Sequence, residues 1–186
     1  TVMRKQLLAK TVRHLLKLKP QASIYSAPLP QDEQAVELSY LGTAGFVLKT
    51  AERTVVLDPY LSRIGLTELL RPLHTNTDLL KKYIPHADEV LIGHAHYDHI
   101  LDAPDLCKQT GARLIGSKAT CMVGRAAGLP ESQLVETEGR EDIACGTWTV
   151  RGLPSIHGKA IFGRIPIAGD ILSPPVWPPK LLDLKH

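Results

Sequence analysis

The spacing of hydrophobic residues changes along the chain, and each change predicts a different kind of element. Between residues 36 and 60, three segments (VELSYLG, FVLKT and TVVLDPY) are rich in β-branched and aromatic residues and are separated by glycine or charged turns. Such segments are typical of strands, and the AERT sequence between the last two fits a hairpin turn. We therefore predict an antiparallel meander over residues 36–60 and a second one over 142–157, around Gly146.

Between these meanders the chain alternates between short apolar runs and helical patterns. The predicted elements are strands at 88–93 and 113–116 and helices at 102–110 and 117–127. Asp102 stands at the N-cap position of the first helix, with Pro104 in its first turn, while Gly111 and Gly128 follow the two helix ends. This alternation of strands and helices predicts α/β packing of the middle of the chain.

The two ends of the chain differ in composition from the middle. Residues 1–19 predict a basic amphipathic helix, whose helical spacing runs over 3–19. Residues 20–34, rich in Pro, Ser and Gln, predict a linker, and the domain is expected over 35–170. The segment 171–186 is rich in proline and is predicted to be an extended tail that closes no core.

Charge is unevenly distributed and excludes one class of function. Of the 22 basic residues, six lie within residues 1–19, where there is no acid, which leaves 16 basic against 19 acidic residues. Because the body of the protein is mildly acidic, the overall basic charge does not predict nucleic-acid binding. The basic helix suits an acidic membrane surface, a partner, or packing on its own domain.

The apolar runs and the cysteines of the sequence indicate in which cellular compartment the protein is expected. No run of 18 apolar residues is present, which predicts no transmembrane helix. The widely spaced Cys107, Cys121 and Cys145 form no metal-binding pair or disulfide framework, and we expect them to be small buried side chains in a reducing compartment. A cytoplasmic location is therefore expected.

The most informative segment is HAHYDH at residues 94–99, directly behind an apolar strand. In extended backbone, residues two apart point the same way, so the His94 and His96 imidazoles can reach one point. Asp98 and His99 follow in the turn and can face the same hollow. A surface loop can hold histidines by chance, but cationic imidazoles this close would repel, whereas a divalent metal binds neutral imidazole and carboxylate together.

This His-x-His-x-Asp-His pattern resembles the motif of the metallo-β-lactamase superfamily. The segment YLGTAGFVLKTAERTVVLDPYLS (40–62) is similar to the opening meander of that fold, with Asp58 as its acid. The string HAHYDHILD, with Tyr97 and Asp102, resembles the branch of N-acyl-phosphatidylethanolamine phospholipase D and ascorbate-6-phosphate lactonase. The resemblance covers roughly residues 36–160 and implies an αββα sandwich with two metals between its sheets.

The resemblance also implies roles for individual residues. His94 and His96, with His157 of the LPSIHG segment, would bind the first metal. Asp98 and His99 would bind the second, and Asp98 would also orient the attacking water or take up a proton. Asp58 would fix the metal loop through hydrogen bonds. Zinc suits such a ligand set, with manganese or iron as alternatives.

Two ligands of the family pattern have no clear match. The bridging acid would be Asp170, although it follows His157 by only 13 residues and Ile171 replaces the usual Thr. The final histidine would be His186, at the chain end. We expect that only the N-terminal part of the sandwich is present and that a second chain, or a second copy, covers the surface near residues 160–186.

Two functions follow from these observations. The first is a metal-dependent hydrolase of an ester, lactone or phosphodiester, in which a metal-activated hydroxide attacks a small-molecule or lipid-like substrate. The second is a catalytically incomplete binding module with one metal site. The substrate itself is set by loops around the cleft and does not follow from the motif.

Overall fold

A six-stranded mixed sheet forms the centre of the described part of the chain. The structure is a computed structural model that describes residues 35–158, 165 and 167–185, so the predicted helix and linker at 1–34 and His186 lie outside the described residues. The strands follow one another across the sheet in chain order: β1 Glu37–Gly42, β2 Gly45–Lys49, β3 Thr54–Leu57, β4 Glu89–Leu91, β5 Arg113–Gly116 and β6 Leu134–Glu136.

The first three strands form the antiparallel meander that their pattern predicts. From β3 onward the strands are parallel, and helical or irregular segments connect them. The third strand is shorter than predicted and ends at Leu57, because Asp58 has a φ of +40° and turns the chain out of the sheet. The predicted α/β class is confirmed.

Helices cover one face of this sheet and form the core with it. They are α1 Thr77–Tyr83, α2 Tyr97–Ile100, α3 Ala103–Thr110 and α4 Lys118–Ala126. Val56, Val90 and Leu114 of the sheet are fully buried, as are Leu106 and Val123 of the helices. All five belong to one hydrophobic cluster. Burial of these apolar side chains is the main favourable term that holds the helices on the sheet.

A separate hairpin lies against the sheet. It consists of β7 Asp142–Cys145 and β8 Trp148–Arg151. Glu89 of β4 is 1% exposed and lies 2.9 Å from Arg53 and 3.0 Å from Arg113. Both arginines also donate to hairpin carbonyls, Arg53 to Cys145 and Arg113 to Ala144. Because Glu89 alternates with Val90, this ionic cluster lies on the face opposite the helices.

The C-terminal segment differs from the extended tail that was predicted to close no core. Leu184 is fully buried and Ile171 is 8% exposed, and both belong to the main hydrophobic cluster. The carbonyl of Pro179 accepts a hydrogen bond from the Leu73 amide at 2.7 Å. Proline-rich composition predicted the scarcity of regular structure correctly, but it could not show that isolated leucines anchor such a segment.

The structure also shows the state of the cysteines and the lengths of the described helices. All three cysteines are free and buried, as predicted. Within the described ranges, no helix has the length and apolar composition needed to cross a membrane.

Replacing Glu89 by Ala should destabilise the protein, because two arginines at the hairpin would lose their shared carboxylate. We expect the free energy of unfolding, measured by urea denaturation, to fall by about 2–4 kcal/mol. The control is Asp142→Ala, which removes an exposed ion pair with Arg151 and should leave stability nearly unchanged. Equal effects of the two substitutions would contradict a special role for the Glu89 cluster.

Two leucines of the tail offer a matched test of its role in the core. Leu184→Ala should lower the free energy of unfolding by about 2–5 kcal/mol, since it removes a fully buried side chain. Leu182 is 66% exposed, and Leu182→Ala should change it by less than about 0.5 kcal/mol. Thermal and urea unfolding of both variants would measure the difference, and a small effect at Leu184 would show that the tail does not hold the core.

Candidate metal centre

The two histidines after β4 point toward the same place. His96 has extended backbone, with φ −69° and ψ 150°, and begins helix α2. The Nε2 atom of His94 lies 3.0 Å from the Nδ1 atom of His96. Two nitrogens bound to one tetrahedral zinc at its usual bond length lie about 3.3 Å apart. This pair is therefore already close to the spacing that a shared cation requires.

His157 comes to the same point from the far side of the β7–β8 hairpin. Its ring centroid lies 5.0 Å from those of His94 and His96, and one ligand atom from each of the three residues lies within 4.8 Å of the others. The Nδ1 atom of His157 lies 2.7 Å from the Gly158 carbonyl. A proton on Nδ1 would satisfy that contact and leave the lone pair on Nε2, the tautomer that suits a metal ligand.

The chemistry of this donor set fits a divalent transition metal. Three neutral imidazoles with room for a water molecule form one of the common ligand sets of catalytic zinc. His96 is 6% exposed while His94 and His157 are half-buried, so the group lies near the protein surface and not deep inside the core. The described histidines therefore fit a divalent metal ion in two respects, the type of donor atom and the spacing between the donor atoms.

Asp98 and His99 form a second pair beside this group. Both lie on helix α2, and the Nε2 atom of His99 is 3.9 Å from Oδ2 of Asp98. The His99 ring centroid is 3.9 Å from that of His94, so the pair and the three-histidine group are adjacent. Among the described residues, only the three histidines form a ligand group of three or more side chains.

Asp58 connects the two strand ends beneath the site. Its Oδ1 atom accepts a hydrogen bond from the Gly93 amide at 2.7 Å, and its Oδ2 atom lies 3.0 Å from Nδ1 of His99. A methyl group at Gly93 would lie 3.1 Å from Oδ2, so the glycine lets the carboxylate approach. Asp58 therefore contacts both the backbone before the HAHYDH segment and a side chain within it, while its role in orienting a metal loop stays a prediction.

The environment of His99 has opposing effects on its protonation. Burial lowers its pKa, but the hydrogen bond and charge of Asp58, together with the charge of Asp98, raise it, and the net pKa is above the ordinary value for histidine. Because Asp58 faces Nδ1, the Nε2 atom of His99 is the nitrogen directed toward Asp98.

Asp102 corrects a prediction. It occupies the N-cap position of α3, but its side chain makes no capping hydrogen bond. The carboxylate instead accepts hydrogen bonds from the amides of Leu61 and Ser62, at 2.6 and 2.8 Å, and from the Ser62 hydroxyl. Burial raises its pKa to about 6, although these hydrogen bonds lower it. An acid before a helix matched the capping pattern, and no local pattern could show a partner 40 residues away.

The two remaining predicted ligands lie apart from the group or outside the structure. Asp170 is exposed and lines a cavity of about 340 Å³ with Ser117, Gly169 and Lys185. It is not a member of the three-histidine group. Its role as a bridging ligand therefore stays a prediction without a supporting contact, and His186 lies outside the described residues.

Sequence comparison assigns the family. The model of the beta-lactamase superfamily domain matches residues 53–173, more than half of the chain. The chain belongs to the metallo-β-lactamase superfamily. Within the matched region lie Asp58, the HAHYDH segment and His157, the residues around which the candidate site is built.

The match to individual relatives extends over only part of the length of each relative. A UPF0173 metal-dependent hydrolase of Thermodesulfovibrio yellowstonii is 32% identical over 137 residues, covering 68% of this chain and 47% of that protein. One from Anaeromyxobacter is 33% identical over 127 residues, covering 66% and 43%. The structure of Igni18, described as a metallo hydrolase from Ignicoccus hospitalis, is 24% identical with a TM-score of 0.44, covering 59% and 42%. The chain spans about half the length of the curated relatives it matches.

The raised pKa of Asp102 predicts a pH dependence of stability. Since its folded pKa of about 6 exceeds the ordinary value of aspartate, about 3.9, its contribution is most favourable below pH 4 and is lost as pH rises through 6. The Asp102→Asn variant has no such titration. Its stability relative to the wild type should therefore rise by about 2 kcal/mol from pH 4 to pH 7 in the metal-free protein.

Urea denaturation of both proteins at several pH values, with a chelator present, would measure this difference. A stability difference that stays constant between pH 4 and pH 7 would show that the Asp102 carboxyl has an ordinary pKa.

Proposed function

We propose that this chain carries the metal centre of a metal-dependent hydrolase. The observation that supports this most strongly is the convergence of His94, His96 and His157, whose ligand atoms lie within 4.8 Å of one another. Three imidazoles, two of them half-buried, match the three-ligand donor set of a catalytic metal ion more closely than the four-ligand set of a closed structural site. The names of the curated relatives, metal-dependent hydrolases, agree with this proposal.

The residues of the site would have two kinds of role, metal binding and proton transfer. His94, His96 and His157 would hold a divalent cation, which lowers the pKa of water and polarises a carbonyl or phosphoryl oxygen when bound. Asp98 has a side chain that is 34% exposed and close to His99, so it can orient water or accept its proton. Asp58 keeps the His99 ring in one orientation through its contact with Nδ1.

We further propose that Asp98 and His99 supply part of a second cation site. Asp98 and His99 are 3.9 Å apart, and the His99 ring lies beside that of His94, so a cation held by this pair would lie close to the three-histidine group. Imidazole and carboxylate together favour zinc, and manganese or iron are alternatives. For the substrate we propose an ester, lactone or phosphodiester, since two adjacent cations suit the cleavage of each.

One observation favours a second candidate function, a binding module with a single metal site. In the part of the chain that the structure describes, the Asp98 and His99 pair has no third ligand side chain. A chain of this kind would bind one cation without hydrolysing a substrate. The expected membrane contact of residues 3–19, the second chain near residues 160–186 and a cytoplasmic location stay predictions.

Metal content is the first test of the proposed function. Protein purified without chelators should contain about one to two zinc equivalents by elemental analysis, and His94→Ala or His96→Ala should remove most of the zinc. The control is His86→Ala, because the His86 side chain is 66% exposed and lies near Asp88, away from this group. Less than about 0.2 metal per chain in the wild type would overturn the proposal.

Hydrolysis assays distinguish the enzyme from the binding module. With zinc or manganese added, the chain should cleave an activated phosphodiester or lactone, and Asp98→Ala should lower kcat about 100-fold or more. His96→Ala should abolish activity together with metal binding. A chain that binds zinc fully yet shows no hydrolysis of any of these substrates would support the module instead.

A further inference from the structure

The buried carboxylate of Asp102 makes contacts that neither metal binding nor helix capping explains. It is fully buried and accepts three hydrogen bonds from Leu61 and Ser62, which belong to the loop after β3. The same loop begins at Asp58, the residue whose carboxylate contacts His99. Asp102 therefore holds the end of the loop at Leu61 and Ser62 by hydrogen bonds, while Asp58 at the start of the same loop contacts His99 of the candidate site.

The geometry of the helix explains how the two contacts act together. Helices α2 and α3 are separated only by Leu101 and Asp102. Both residues have right-handed helical backbone, so the two helices are nearly continuous. Residues three apart on a helix lie on the same side. His99 and Asp102 therefore face the loop together, and the loop is attached to this helix at two points one turn apart.

The loop needs such an attachment because its backbone is strained. Asp58 has a φ of +40° and Arg63 a φ of +49°, conformations that cost a residue other than glycine about 1 kcal/mol or more. Strained conformations persist only when the surroundings hold them. The Ser62 hydroxyl also accepts a hydrogen bond from the Asn76 amide at 2.7 Å, which ties the same loop to the start of α1.

We propose that Asp102 is a positioning residue that clamps the 58–62 loop onto the helix carrying His99, so that Asp58 holds the His99 imidazole in its metal-binding orientation. This inference rests on the proposed function in one respect, that His99 serves as a ligand. The hydrogen bonds, and not the negative charge, carry the role. An asparagine amide can accept from the Leu61 and Ser62 amides through its oxygen, and its NH₂ group can donate to the Ser62 hydroxyl.

The test compares four variants of the full chain: Asp102→Ala, Asp102→Asn, Ser62→Ala and Leu184→Ala. Leu184→Ala is the stability-matched control, since it removes a buried side chain of the tail. The first readout is the His99 tautomer in the metal-free protein at pH 8.5, from long-range proton–nitrogen NMR correlations. The second is zinc affinity, measured by competition with a chromophoric chelator.

The wild type and Leu184→Ala should show a proton on Nδ1 of His99, facing Asp58, and the same zinc affinity. Asp102→Ala should show mixed tautomers and bind zinc about tenfold more weakly, as expected when an orienting contact behind a ligand is lost. Ser62→Ala removes one of the three hydrogen bonds to Asp102, together with the one from the Asn76 amide, and should weaken zinc binding by about threefold. Asp102→Asn should stay within about twofold of the wild type.

The proposal fails if Asp102→Ala matches Leu184→Ala in both tautomer and affinity. Should Asp102→Ala not fold, Ser62→Ala decides in its place, and an unchanged His99 tautomer with unchanged affinity overturns the clamp. A wild type that binds no zinc would refute the proposed function alone, because the tautomer readout needs no metal.

Discussion

The candidate site depends on one carboxylate, that of Asp58. Its two oxygens contact the Gly93 amide and the His99 imidazole, so one residue fixes both the backbone before the HAHYDH segment and a side chain within it. A parallel sheet brings the ends of β3 and β4 side by side, which is why an acid 35 residues earlier reaches this point.

Two other buried carboxylates hold the surrounding structure, and they are compensated differently. Glu89 lies between two arginines at the hairpin side of the sheet, which form ion pairs with its carboxylate. Asp102 faces backbone amides and a hydroxyl instead, and burial raises its pKa above the usual value for aspartate. Arginine pairs therefore secure the hairpin, whereas hydrogen bonds secure the loop beneath the site.

The position of His157 in the candidate site depends on the β7–β8 hairpin. The three histidines lie together only because the hairpin returns the chain to the end of β4, where His157 meets His94 and His96. The segment that carries His157 is irregular, and its position depends on how the hairpin packs on the sheet. Packing of the hairpin and the meeting of the three histidines are therefore linked by the geometry of a single short segment.

Local sequence determined much of this protein. The period of hydrophobic residues predicted the meander, the buried strands and the helix that ends before Gly111, because side-chain burial on one face requires those spacings. Extended backbone at residues 94–96 predicted that His94 and His96 point the same way, and they do. In each case the deciding interaction joins residues close in the chain.

Only the tertiary structure decided where distant partners meet. Asp102 was predicted to cap its own helix but contacts Leu61 and Ser62, and Leu184 enters the core from a tail predicted to stay outside it. Hydrogen bonding and burial depend on which segments the sheet and helices bring together, and a pattern of a few residues carries no information on a partner 40 positions away. The physical reason is that such contacts are set by the packing of the whole domain, not by local propensity.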